Sequence, residues 1–159
     1  MPYLARITHF DTSDQQIFAQ PATTGEWAIS GGFEFANWDE SDITGKARQA
    51  FANGWMGIGS FGRGTFVAVS AISEAELETV TDLLAGHLIA AYGAPDKAAA
   101  LGAAREEIAF MQELCEGHPP NTLLAVQREL GEQGIHEQYR YIAPQEADLE
   151  ILAVHGSAD

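Results

Sequence analysis

The chain of 159 residues holds a single cysteine, Cys115. No intrachain disulfide can form, and a thiolate-rich structural zinc site has no ligand set. Basic residues are scarce too: eight Lys and Arg stand against 23 Asp and Glu, a formal charge of −15, and the acids are spread along the chain. Without a basic tail or stripe to neutralise phosphates, sequence-independent nucleic-acid binding loses its source of affinity. An anionic membrane surface is disfavoured on the same ground. No window approaches the roughly 18 consecutive apolar residues of a membrane-spanning helix. The opening Met-Pro-Tyr-Leu-Ala-Arg has no charged stretch leading into a long apolar run, so a soluble, cytoplasmic protein is expected.

What is present is a globular composition, 46% apolar and 19% charged. A chain of this length buries roughly 70% of the surface its unfolded form exposes, enough for one core. One domain over 1–155 is expected, with 156–159 as a frayed tail.

Residues 3–10 and Ile17-Phe18-Ala19 flank the turn-forming Asp11-Thr12-Ser13-Asp14 and read as a β-hairpin. Trp27, Ile29, Phe33 and Phe35 recur at strand spacing on either side of Gly31-Gly32, where a bulge or break belongs. Asp42 or Thr44 caps a short helix over 45–53 that Asn53-Gly54 stops. From Trp55 to Ile72 two strands are expected, joined near Phe61–Gly64, with Thr-Phe-Val-Ala-Val-Ser-Ala-Ile the strongest β signal in the chain.

The second half reads as helical. Ser73 and Glu76 form a capping box for a helix over 74–92 with Leu77, Val80, Leu84, Leu88 and Ala91 on one face, ended by Gly93-Ala94-Pro95. Asp96 caps the next, in which Leu101, Ala104, Ile108, Met111 and Cys115 share a face. Asn121 caps a third, with Leu123, Leu124, Val126 and Leu130 inward. Alternation over 135–142 favours a strand narrowly over a last helical turn. Leu149–Val154 offers an edge strand or a segment that binds a partner. Strands precede helices instead of alternating with them, which favours an α+β layer fold over a parallel α/β sheet.

Gly57-Ile-Gly59-Ser-Phe-Gly62 matches G-x-G-x-x-G. A dinucleotide site needs a strand before it and a helix after it; here the order is reversed, so a glycine-rich β-turn is the better reading. Lys46 and Arg48 open the short helix, where free N–H groups also favour anions, and Arg63 follows the glycines. These three, with Gly59 and Gly62, are the candidate ligand-binding residues; the plainer reading has Lys46 and Arg48 offsetting Asp39, Glu40 and Asp42. Cys115 and His118 supply two ligand types within one turn, yet a core thiol and a helix-end histidine account for them. Glu106, Glu107 and Glu113 lack the Glu-x-x-His pairs of carboxylate-bridged metal centres. His87 reads as a partly buried, satisfied histidine. Ser60 does not stand in a nucleophile elbow, so no catalytic residue is assigned. Eight aromatic residues between 27 and 66 exceed what one small core requires, and a surplus on a sheet face forms a groove or a subunit interface.

Thr44–Gly54, Ser60-Phe61-Gly62, Tyr92-Gly93-Ala94-Pro95 and Thr122–Val126 resemble an uncharacterised family of small acidic bacterial proteins, a domain of unknown function. The resemblance spans most of the chain, implies an accessory role and carries over no catalytic residue.

The expectation is therefore an α+β fold: an antiparallel sheet of about four to five strands from the N-terminal half, packed on about three helices from the C-terminal half. The expected function is that of a non-catalytic accessory or protein-interaction protein, homo-oligomeric, with a possible protein partner and neither nucleic acid nor membrane bound. The alternative is a protein or enzyme that binds a small anionic ligand in a pocket at Gly57–Gly64. No cofactor and no metal is assigned.

Overall fold

The computed structural model describes residues 2–9 and 17–144. In chain order the elements are β1 (Tyr3–Thr8), β2 (Trp27–Ile29), a 3-10 turn (Gly32–Phe35), α1 (Gly45–Asn53), β3 (Trp55–Gly57), β4 (Arg63–Gly64) and β5 (Phe66–Ala71). They continue with α2 (Glu74–Tyr92), α3 (Lys97–Cys115), β6 (Leu123–Gly131) and β7 (Gly134–Ile142). All seven strands form one sheet in the order β4-β3-β2-β1-β5-β6-β7, every neighbour antiparallel. The α+β class holds, but the sheet has seven strands instead of about four to five, two of them (β6 and β7) from the C-terminal half, and one of the three helices among the described residues, α1, comes from the N-terminal half.

The chain passes from β4 to β5 through Thr65 alone, although β3, β2 and β1 lie between them in the sheet. Arg63–Ala71 is therefore one bent strand that pairs with β3 at its start and with β1 and β6 further on. The sheet must curl to satisfy both sets of hydrogen bonds, as in a barrel. The outer side of β4 is covered by residues 20–22: the Arg63 N–H donates to the Gln20 carbonyl, and the Ala22 N–H to the Arg63 carbonyl, both at 2.8 Å. At the other end of the sheet, β7 pairs with β6 alone among the described residues.

The long helices form as their punctuation dictates. The Ser73 hydroxyl accepts the Glu76 N–H at 3.1 Å, and the Asp96 carboxylate accepts the Ala99 N–H at 2.8 Å. Such caps contribute about 1 kcal/mol each. Gly93 ends α2 in the left-handed conformation that glycine adopts without strain. Val80, Leu84 and Leu88 of α2 and Ala104, Ile108, Met111 and Cys115 of α3 join Val67, Val69, Leu124 and Val126 of the sheet in one core. Each large side chain so buried contributes about 1.5–3 kcal/mol. On the opposite sheet face, Leu123 and Ile142 form a small cluster with Phe66 and Ala68.

Three expectations need correction. The helix expected from Asn121 is the strand β6: Asn121 has a φ of +73°, and the segment alternates, with Leu124, Val126 and Arg128 buried and Gln127 and Glu129 exposed. The buried arginine hid that alternation, since a cation in an apolar pattern reads as the solvent side of a helix. β7 then returns along β6 through the two-residue loop Glu132-Gln133, so 134–142 is a strand. Phe33 and Phe35 are not in a strand, because the left-handed Gly31 ends β2 and the chain coils into the 3-10 turn. β1 pairs with β2 and β5, so the expected partnership with 17–19 does not form. The turn placed at 11–14, the segment Leu149–Val154 and the tail 156–159 lie outside the described residues.

Candidate functional site

The glycine-rich segment already encloses an anion. The Glu26 carboxylate accepts the Ser60 N–H at 2.6 Å, the Ser60 hydroxyl at 2.7 Å and the Thr23 N–H at 2.5 Å. A Cβ on Gly59 would lie 2.8 Å from a Glu26 oxygen, and one on Gly62 would lie 2.5 Å from the Pro21 backbone. These glycines admit parts of the protein itself, so neither forms a cradle for an external phosphate.

Beyond that loop, two arginines are buried side by side. Arg63 donates to the carbonyls of Ser30 (3.3 Å), Gly31 (3.0 Å) and Gly54 (3.2 Å). Arg128 donates to those of Phe51 (3.0 Å), Gly54 (2.9 Å) and Ser30 (2.8 Å) and to the Ser30 hydroxyl (3.1 Å). An α-helix leaves its last carbonyls without intrahelical donors. α1 has no basic residue in its last turn, and guanidiniums from β4 and β6 fill that gap. Asn53 adds its amide to the Val126 carbonyl at 3.0 Å, where β5 no longer reaches β6. Both guanidiniums lie over the Phe35 ring, at 4.6 and 5.3 Å from its centroid.

Each arginine has a carboxylate, and each carboxylate has a tyrosine. Glu34 lies 3.5 Å from Arg63 and accepts the Tyr92 hydroxyl at 2.6 Å. Glu137 lies 3.7 Å from Arg128 and accepts the Tyr139 hydroxyl at 2.5 Å and the Ser30 hydroxyl at 3.2 Å. Burial, followed by the charge of Arg63 beside it, pushes the Arg128 guanidinium down to about 10. Burial lowers Arg63 as well. Burial and the bond to a carboxylate hold both tyrosines above the ordinary phenol range. Gly31 and Gly32 follow from this network: a Cβ on either would come within 2.7 Å of Arg63 or Glu137.

Arg63 also borders a cavity of about 220 Å³ that Lys46, Glu34, Trp38, Phe18 and Phe61 line. Two of the residues expected to bind a ligand, Lys46 and Arg63, thus meet. Arg48 is exposed on α1 and does not line the cavity, and neither do Gly59 and Gly62. No ion pair joins Lys46 or Arg48 to Asp39, Glu40 or Asp42 among the described residues. Phe61 stacks on His87 at 3.7 Å between ring centroids, and burial lowers the His87 pKa.

Cys115 is fully buried, and burial pushes its thiol up to about 12, away from the thiolate a metal or a redox reaction requires. His118 stacks on Tyr141 at 4.0 Å. Among the described residues no group of three or more His, Cys, Asp or Glu is placed to hold a metal ion, and no helix is long and apolar enough to cross a membrane.

The outer edge of β7 is a different kind of site. It runs nine residues in unbroken register with β6. A two-residue hairpin makes Gly131 and Gly134 the hydrogen-bonded closing pair, and bonded pairs then alternate. The N–H and C=O groups of Ile135, Glu137, Tyr139 and Tyr141 therefore point away from β6. Phe110, its ring 6.1 Å from that of Tyr139, and Tyr141 are both more than a third exposed beside this edge.

Sequence reasoning missed Arg128, Glu34, Glu137, Ser30, Tyr92 and Tyr139. The available signal was Arg128, one of only eight basic residues, two places after Val126 in an apolar run. No curated protein and no solved structure matches the chain. A family of unknown function (DUF6505) matches over residues 1–159, and the chain belongs to that family.

Proposed function

We propose that this is a non-catalytic accessory protein that acts as a homodimer, formed when β7 pairs antiparallel with β7 of a second copy. The observation that carries this reading is the contrast between the two ends of the sheet. β4 is two residues long and flanked by residues 20–22, whereas β7 is nine residues long and has no partner on its outer side among the described residues. Proteins protect free edges with Pro, Lys, other charges, bulges or brevity; Gly-Ile-His-Glu-Gln-Tyr-Arg-Tyr-Ile has no Pro, Lys or bulge, and of its two charges Glu137 is engaged by Arg128.

Charge also favours a second copy. The whole chain carries −15 and repels itself over most of its surface, but β7 holds one Glu and one Arg and is locally neutral. A two-fold axis through Gln138 sets Glu137 opposite Tyr139 of the second copy and Ile135 opposite its Tyr141. Every outward N–H and C=O on both edges then finds a partner. The twin arginines hold α1 and β6 together beneath this edge.

Native mass spectrometry of untagged protein tests the reading. A mass of twice 17.1 kDa is expected, and Gln138→Lys, which sets like charges opposite each other at the axis, should shift it to the monomer. A wild-type monomer at micromolar concentration contradicts the reading, and so does a dimer indifferent to Gln138→Lys.

A further inference from the structure

We infer that the cavity beside Arg63 is a binding site for a small aromatic carboxylate, a function separate from the pairing of β7. Three groups in its lining carry charge: Arg63, Glu34 and Lys46. Arg63 and Glu34 are 3.5 Å apart and cancel. Glu34 has its other oxygen on the Tyr92 hydroxyl, and Arg63 is spent on three carbonyls. Lys46 makes no ion pair among the described residues, so the cavity keeps one positive charge in a protein of −15. An isolated cation at a cleft with low-dielectric walls attracts a monoanion.

The rest of the lining sets the body of the ligand. Phe18, Trp38 and Phe61 supply the aromatic surface, which favours stacked or edge-on contact with a ring. Phe61 is held in place at some cost: its φ is +57°, a conformation rare for a bulky side chain, and its ring is clamped flat on His87 with 4° between the planes. Strain of this kind persists where the surroundings fix a residue for a purpose. The volume of about 220 Å³ lies below the roughly 300–1,000 Å³ of drug-sized sites, which matches a single ring with one carboxylate.

The test is fluorine NMR titration of the full chain with 4-fluorobenzoate, with 4-fluorobenzamide as the neutral probe of the same shape. Saturable binding of the carboxylate is expected, with the amide about tenfold or more weaker, since a bond to a charged group is lost. Lys46→Gln should weaken the carboxylate by a similar factor at unchanged melting temperature, because Lys46 is exposed. Arg48→Gln, which removes the same charge from the same helix outside the cavity, should bind as wild type. No saturable binding of 4-fluorobenzoate, equal binding of the amide, or equal losses in Lys46→Gln and Arg48→Gln would each overturn the inference. Subunit mass is read separately, so either reading can fail without the other.

Discussion

Arg63 and Arg128 share an acceptor: both guanidiniums donate to the Gly54 carbonyl, at 3.2 and 2.9 Å, from β4 and β6, which four other strands separate in the sheet order. Two like charges at one carbonyl oppose folding unless other groups offset them. Here Glu34, Glu137, the Ser30 carbonyl and the end of α1 do so. Replacing Arg128 with Ala should leave the Phe51 carbonyl without its arginine donor and Glu137 without its cation. The expected loss is about 3–5 kcal/mol, with a smaller loss for Arg128→Lys, whose ammonium cannot reach several carbonyls at once. Urea unfolding measures both, and a loss below about 1 kcal/mol in Arg128→Ala would show that the network does not hold α1 to the sheet.

Glu26 fills the glycine-rich loop. Glu26→Gln should cost about 1.5–3 kcal/mol, because hydrogen bonds to an ionised acceptor are the stronger kind and Gln brings a donor against the Ser60 N–H. Gly59→Ala should destabilise too, since its Cβ meets the same carboxylate. Thermal melts in sulfate against chloride add a check: a sulfate-specific rescue of Glu26→Gln would mean that the loop is an anion site after all.

The two carboxylate-bound tyrosines make stability fall in alkali. Their folded pKa values lie above the ordinary value of about 10. Above that pH the unfolded chain holds fewer protons than the folded one, so their contribution is complete below about pH 10 and lost as pH rises. The urea midpoint should drop as pH rises above about 10, with a shallower drop in Tyr92→Phe. A midpoint that rises over this range contradicts the assignment.

Cys115 should be chemically silent in the folded protein. Its burial and raised thiol pKa predict that a thiol reagent at about pH 8 reacts at the rate of unfolding, far slower than with a free thiol. Prompt stoichiometric modification of native protein would contradict this.

Much of the fold was legible because its signals are local. Ser73 with Glu76, Asp96, Gly93 and the stripe through Ile108, Met111 and Cys115 each act within a few residues, and the structure uses each as read. What failed depends on contacts distant in sequence. Arg128 belongs inside because the carbonyls of Phe51 and Gly54 at the end of α1, and that of Ser30, lie there to accept its donors, and nothing local announces that. In sequence Arg63-Gly64 reads as part of the joint before the strong β run, and only the closure of the sheet makes that dipeptide a strand on β3 while Phe66–Ala71 pairs with β1. In the site, the basic types drew attention to Lys46 and Arg63, but the carboxylates that answer the arginines, Glu34 and Glu137, looked like two more acids among 23.

Self-association through β7 is tested most directly by Gln138→Cys. A two-fold axis at this residue makes Gln138 and its counterpart a non-hydrogen-bonded pair with Cα atoms about 4.5 Å apart, within the range that a disulfide spans. Cys115 is buried and does not interfere. Under mild oxidation Gln138→Cys should run as a covalent dimer on a non-reducing gel, while Gln127→Cys, exposed on the neighbouring strand opposite Gln138, should stay monomeric. Cross-linking of neither variant, or of both alike, would contradict the pairing of β7.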